Sequence, residues 1–186
     1  MDFMQEVRNY IKSIESDIIG YRREFHQFPE LGFEEKKTSA KIQEFLGSWD
    51  IDFIPNVAGT GVVALIKGGR PGKTVALRAD IDALPIKEER EVMYKSQNEG
   101  KMHACGHDGH IAMLLGAAQA LARFRERIEG NIKLIFQPAE EGPNPSGAYR
   151  MVQEGVLKEV DAVFGMHLDP LLPTGKVLIN RNRAMA

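Results

Sequence analysis

The sequence holds a single cysteine, Cys105, in 186 residues. One cysteine excludes an intrachain disulfide framework and suits a reducing compartment. Charge of one sign is not in excess. The 24 Lys plus Arg stand against 26 Asp plus Glu, a formal net charge of −2. That balance offers nothing to a nucleic-acid backbone and leaves no acidic tail. Long apolar runs are missing too: the longest, residues 111–118, falls far short of the roughly 20 that a membrane span needs. The opening stretch MDFMQEVRNYIKSIE is charged throughout and has no apolar signal-peptide core. Several catalytic signatures are also absent. No stretch has the full Gly-x4-Gly-Lys-Ser/Thr spacing of a phosphate loop, and there is no Gly-x-Ser-x-Gly elbow and no His-Glu-x-x-His helix. Gly59-Thr60-Gly61 lacks the third glycine of a dinucleotide fingerprint and reads as a turn. What is present is an ordinary globular balance, 43% hydrophobic and 27% charged, at a length suited to one domain or one and a part. These features predict a cytoplasmic α/β protein with no nucleic-acid or membrane partner.

Apolar residues step by three and four from Phe3 through Val7, Ile11, Ile14, Ile18 and Tyr21 to Phe25, which predicts one helical stripe that Pro29 stops. Thr38, Ile42, Phe45 and Leu46 predict a shorter helix ending near Gly47. Two strand-like runs follow, 62–66 and 74–77. The Gly68-Gly69-Arg70-Pro71-Gly72 between them predicts a hairpin with a longer turn. Residues 81–104 are polar and irregular, the composition of a functional or mobile loop. Next come a helix from Ile111 to about Arg127, a buried strand over 131–136 and a helix over 147–154. A strand over 160–164 and a last one over 175–179 complete the pattern. Strands alternating with helices after residue 60 predict a mixed, mostly parallel sheet with helices on both faces and some antiparallel pairing at its start.

The chemistry-bearing residues are concentrated. Three of the five histidines and the only cysteine lie in His103-Ala104-Cys105-Gly106-His107-Asp108-Gly109-His110. Thiolate and imidazole suit zinc and its neighbours. Cys105 and His107 are two apart, so on an extended segment both face one side, and Gly106 lets the backbone bend between them. A His-rich surface loop with a small buried cysteine is the competing reading. Gln137-Pro138-Ala139-Glu140-Glu141-Gly142 directly follows an apolar strand, where α/β proteins place ligands. Adjacent side chains point in opposite directions there, so Glu140 and Glu141 can serve two roles, one on a metal and one on the substrate side. Alternatively the pair is an exposed acidic turn. His167 likewise follows an apolar strand, and Asp80 and Asp82 share one face just past another. Those aspartates either orient ligand histidines or cap a turn.

These stretches resemble the N-acyl-amino-acid amidohydrolases of the di-metal exopeptidase superfamily, the branch of hippurate hydrolases and indole-acetyl-amino-acid hydrolases. The matching residues are Arg22-Arg23-x-x-His26-x-x-Pro29-Glu30-Leu31-Gly32-Phe33-x-Glu35, Leu77-Arg78-Ala79-Asp80-x-Asp82-Ala83-Leu84-Pro85, the His103–His110 loop, Pro138-Ala139-Glu140-Glu141-Gly142 and Gly165-Met166-His167. The resemblance implies a zinc-exopeptidase-like catalytic domain. In it, Cys105, His107, Glu141 and His167 hold two divalent ions (zinc, manganese, cobalt or nickel), with Glu140 as general base and Asp82 as the supporting aspartate. It assigns Asp80 no metal and leaves His26, His103 and His110 as structural residues or supports behind the ligands, although His110, one helical turn on from His107, stays open as a further ligand. It implies hydrolysis of the amide bond of N-acyl amino acids or dipeptide-like substrates by metal-activated water. Relatives of this kind are about twice as long and carry a lid or dimerisation domain. The expectation is therefore an N-terminal part of the catalytic domain over 1–179 and the start of a connection over 180–186. The complete protein would be a homodimer through that lid. The alternatives are an inactive fragment that retains partial metal binding, and a structural zinc module. The latter is disfavoured because closed structural sites carry no spare carboxylate.

Overall fold

The computed structural model describes residues 2–142 and 144–179. In chain order the elements are α1 (Phe3–Ser13), α2 (Glu15–Gln27), α3 (Lys36–Ser48), β1 (Asp52–Val57), β2 (Gly61–Lys67), β3 (Arg70–Asp80), α4 (His107–Arg123), β4 (Glu129–Gln137), α5 (Gly147–Gln153) and β5 (Ala162–Gly165). The strands form one mixed sheet in the order β1-β2-β4-β3-β5. β1 and β4 both pair with β2 in antiparallel fashion, while β4 and β5 both pair with β3 in parallel.

β4 takes the centre because it is apolar on both faces. Leu134 and Phe136 enter the larger core with Val62, Ala64 and Ile66 of β2, beneath α2, α3 and α4. Ile135 points the other way and packs with Val63, Ala76, Met151 and Val156, beneath α5. Side chains alternating between two buried faces give the predicted helix-covered sheet.

Three local expectations are corrected, and one strand, β1, is additional to them. The helical stripe from Phe3 to Phe25 breaks in two at Ile14, which leaves helical geometry at φ −105° and ψ 11° and is itself buried. The predicted hairpin of β2 and β3 does not form. β4 lies between them, and the short link passes over the start of β4, where the Gly68 amide donates to the Gly130 carbonyl at 2.9 Å. A Cβ on Gly68 would collide with the Gly130 and Ile128 carbonyls, so only glycine allows this crossing. β1 carries no alternation and holds Pro55, which an edge strand tolerates because one row of its amides needs no partner. Finally, 176–179 is not a strand: it has no regular structure, and Val177, Leu178 and Ile179 are exposed. Residues 180–186, expected to begin a connection, lie outside the described residues.

Candidate metal centre

β3, β4 and β5 run parallel, so their carboxyl ends share one edge of the sheet. Each carries ligand-type residues there: Asp80 at the end of β3 and Asp82 just beyond it, Glu140 and Glu141 after β4, His167 after β5. α4 starts at the same edge with His107. Gly106, at φ 85°, turns the loop into that helix, and Leu168 covers it so closely that a Cβ would lie 3.3 Å from Leu168 Cδ1.

The structure brings Cys105, His107, Glu140, Glu141 and His167 into one cluster above Asp82. Cys105 Sγ lies 3.4 Å from His167 Nε2. His107 Nε2 lies 3.9 Å from Glu141 Oε1 and 4.0 Å from Glu140 Oε2. Two overlapping triads, Cys105-His107-His167 and His107-Glu140-Glu141, have donor atoms close enough to share an ion. A third, Asp80-His107-His110, lies deeper. Its carboxylate is already engaged: Asp80 takes the His110 Nδ1 hydrogen on one oxygen and Arg78 Nη1, at 2.7 Å, on the other.

The backing interactions fix each ring. His107 Nδ1 donates to the Asp82 carbonyl at 2.9 Å and faces Asp82 Oδ1 at 3.3 Å, which leaves the Nε2 lone pair facing the cluster. That nitrogen is buried and has no hydrogen-bond partner. His167 Nδ1 donates to the Leu168 carbonyl at 2.7 Å, so its Nε2 faces Cys105. His110 has no free nitrogen, because its Nε2 accepts the Leu168 amide at 2.9 Å. It therefore packs as a structural residue. His26 is buried between Asp108, 2.7 Å from its Nδ1, and Glu88, 3.1 Å from its Nε2, and does not reach the cluster. His103 is buried with both nitrogens unpartnered, and burial pushes its pKa down to about 4, so it is neutral at pH 7.

The electrostatics are those of anionic donors crowded together. Burial pushes the Cys105 thiol up to about 12, with Glu141, Glu140 and Asp80 adding to the effect. Burial alone would lower His107, but the hydrogen bond to Asp82 and the charges of Asp80 and Asp82 outweigh it, and its pKa is raised. A divalent cation fits this set on two counts. The donors are sulfur, imidazole nitrogen and carboxylate, and the buried His107 Nε2 otherwise lacks a partner.

Two buried acids beside this edge went unsingled by their local sequence. Glu88 sits in a charged run, Lys87-Glu88-Glu89-Arg90-Glu91, that reads as a solvated surface, yet it is 3% exposed. Glu35 lies in the acidic and basic run Glu34-Glu35-Lys36-Lys37, yet it is fully buried and accepts a hydrogen bond from the Ala139 amide beside Glu140.

A mixed α/β sheet with ligand-type side chains at the carboxyl ends of three parallel strands is the class of fold seen in di-metal exopeptidases. The profile of peptidase family M20/M25/M40 matches residues 76–181, and the chain belongs to this family. It is 46% identical over 187 residues to thermostable carboxypeptidase 2 of Saccharolobus solfataricus, covering 100% of this chain and 48% of that protein. It is 44% identical over 182 residues to an N-acyl-L-amino acid amidohydrolase of Geobacillus stearothermophilus, covering 98% and 49%. Among solved structures it is similar to the Bacillus subtilis YXEP protein, described as a dinuclear metal-binding peptidase of the M20 family. There the TM-score is 0.83 at 44% identity, covering 88% of this chain and 45% of that one. The chain spans about half the length of the curated relatives it matches.

Proposed function

We propose that this chain carries the metal-binding part of a hydrolase that cleaves the amide bond of N-acyl amino acids. Residues up to 179 would form the N-terminal part of its catalytic domain. Cys105, His107, Glu141 and His167 hold two divalent ions, and Glu140 is the general base. The observation that carries the reading is His107 Nε2: buried, without a hydrogen-bond partner and within 4.0 Å of three carboxylates, of which Asp80 is already held by Arg78 and His110 while Glu140 and Glu141 face the cluster. The amidohydrolase name of the Geobacillus relative and the dinuclear description of the Bacillus structure support it.

A divalent pair at such a centre supplies Lewis acidity, which lowers the pKa of water and offsets charge on a carbonyl oxygen. The protein's own contribution is placement and proton transfer. Asp82 fixes the His107 ring and, through Oδ2 at 2.8 Å, the Glu141 amide. The Glu140 side chain is 44% exposed and open to substrate. Its carboxylate takes one proton from the attacking water as the C–O bond forms. It then returns that proton to the departing nitrogen as the C–N bond breaks. The products are a carboxylic acid and a free amino acid.

Metal binding without turnover is a second reading. It draws support from the exposed β5 flank that carries His167. The test uses N-acetyl and N-benzoyl amino acids with added zinc, manganese, cobalt or nickel. Glu140→Gln is expected to keep its metal and lose roughly 10²–10⁴ in kcat. Glu141→Gln is expected to lose metal as well as rate. Activity that survives chelation, or reversed metal contents in the two variants, overturns the assignment. Metal uptake with no hydrolysis favours the second reading.

A further inference from the structure

Glu35 is fully buried at the start of α3, and nothing proposed above uses it. Its Oε1 accepts the Ala139 amide at 2.8 Å, and its Oε2 accepts the Thr60 hydroxyl at 2.6 Å. A buried acid is a costly way to fill space, because its polar atoms must all find partners. A site that required only packing would hold an apolar side chain. What Glu35 grips is a strained place in the chain: Ala139 has φ 48°, a left-handed conformation that a residue with a Cβ adopts only when its surroundings impose it. Two residues further on, the Glu141 amide is held by Asp82 Oδ2 at 2.8 Å. The Ala139 carbonyl in turn accepts the Gly147 amide at 3.0 Å. Glu140 is thus the one residue between two amides, each anchored on a different buried carboxyl group.

We propose that Glu35 is the positioning residue of the acidic turn, setting where the Glu140 and Glu141 carboxylates stand by fixing the Ala139 amide. This rests on the functional reading above and adds to it a residue 104 positions away in the chain. Asp82 and Glu35 divide the task. Asp82 orients His107 and the far end of the turn, and Glu35 holds the near end. Without Glu35, Ala139 would relax toward ordinary backbone, and both carboxylates would swing with it. Burial raises the Glu35 pKa and the Asp82 charge adds to it, while the hydrogen bonds to Thr60 and Ala139 oppose the shift.

The test compares Glu35→Ala with Glu35→Gln, which keeps an acceptor for the Ala139 amide. Each is checked for folding by circular dichroism. In Glu35→Ala, exchange of the Ala139 amide accelerates, manganese affinity falls by about 10–100-fold, and kcat falls with little change in KM. Glu35→Gln restores most of all three. If Glu35→Ala does not fold, Glu35→Asp, one methylene too short to reach, takes its place with the same expectation. The proposal is overturned if the folded Ala or Asp variant keeps wild-type exchange and metal affinity. It is also overturned if Glu35→Gln is as impaired as they are, because the carboxyl itself would then matter and not the grip. Manganese titration and amide exchange need no substrate. A wild-type protein that binds manganese but hydrolyses no N-acyl amino acid therefore retires the substrate reading and leaves this comparison intact. If the wild type binds no manganese, Ala139 exchange alone decides.

Discussion

On one flank of the centre, where β3 meets the start of α4, His107, Asp80, Asp82 and His110 are each no more than 2% exposed. Every one of them has a named partner that fixes it. On the other flank, β5 has a single sheet neighbour, and Val163 and Phe164 are 48% and 60% exposed. His167 there is open to water, with polar contacts to Leu168 and Cys105 and its ring edge-on to that of His110 at 4.6 Å. The contrast separates two kinds of donor. His107 is oriented before any ligand arrives, because turning its ring would strand buried hydrogen-bonding groups. His167 sits on an edge strand with little burial to resist local opening. The two flanks meet at Leu168, which follows His167 and whose amide is taken up by the buried His110.

Breaking the buried flank is expected to have the largest effect. Asp82→Ala leaves the backbone carbonyl that takes the His107 Nδ1 hydrogen but removes the carboxylate that faces that ring and accepts the Glu141 amide, and is expected to lower metal affinity by about 10–100-fold. Competition titration against a chelator measures it. Wild-type affinity in a folded variant would mean that the flank is not held in the way described.

A smaller effect concerns acid. Asp80 is held down to about 2 from an ordinary 3.8: burial pushes the other way, but the hydrogen bond from His110 and the charges of His107, Arg78 and His110 outweigh it. A carboxyl whose folded pKa is depressed adds stability above its unfolded value and loses it as pH falls through the folded one. Its share is therefore present at neutral pH and lost between pH 3.8 and about 2. Asp80→Asn is expected to melt earlier than wild type at pH 6 and to show a shallower fall on acidification. Parallel melting-temperature profiles for the two proteins would contradict this.

Much of the buried flank was legible in the sequence because its residues are chemically unusual. A cysteine and three histidines within eight positions stand out against any background. Glu140, Glu141 and His167 were legible because each follows an apolar strand. The pairing of β2 with β4 was not. Sequence neighbours suggest hairpins, and only the two-faced apolarity of β4 decides which strand becomes central. β1 was hidden by Pro55, and the break at Ile14 by a helical stripe that continues across it. Glu35 and Glu88 were illegible for another reason. A buried acid looks like a surface acid until its partners arrive, and those partners are distant: Ala139 for Glu35, His26 for Glu88.

Cobalt(II) loading tests the metal centre most directly. In the metal-free protein, burial and the neighbouring carboxylates hold the Cys105 thiol protonated, with a pKa of about 12. Alkylation of that protein is accordingly a poor probe, whereas a coordinated thiol is deprotonated outright. The expected result is a near-ultraviolet thiolate-to-cobalt charge-transfer band that saturates with metal uptake and is absent in Cys105→Ser. Stoichiometric cobalt binding with no such band would contradict a centre built on Cys105.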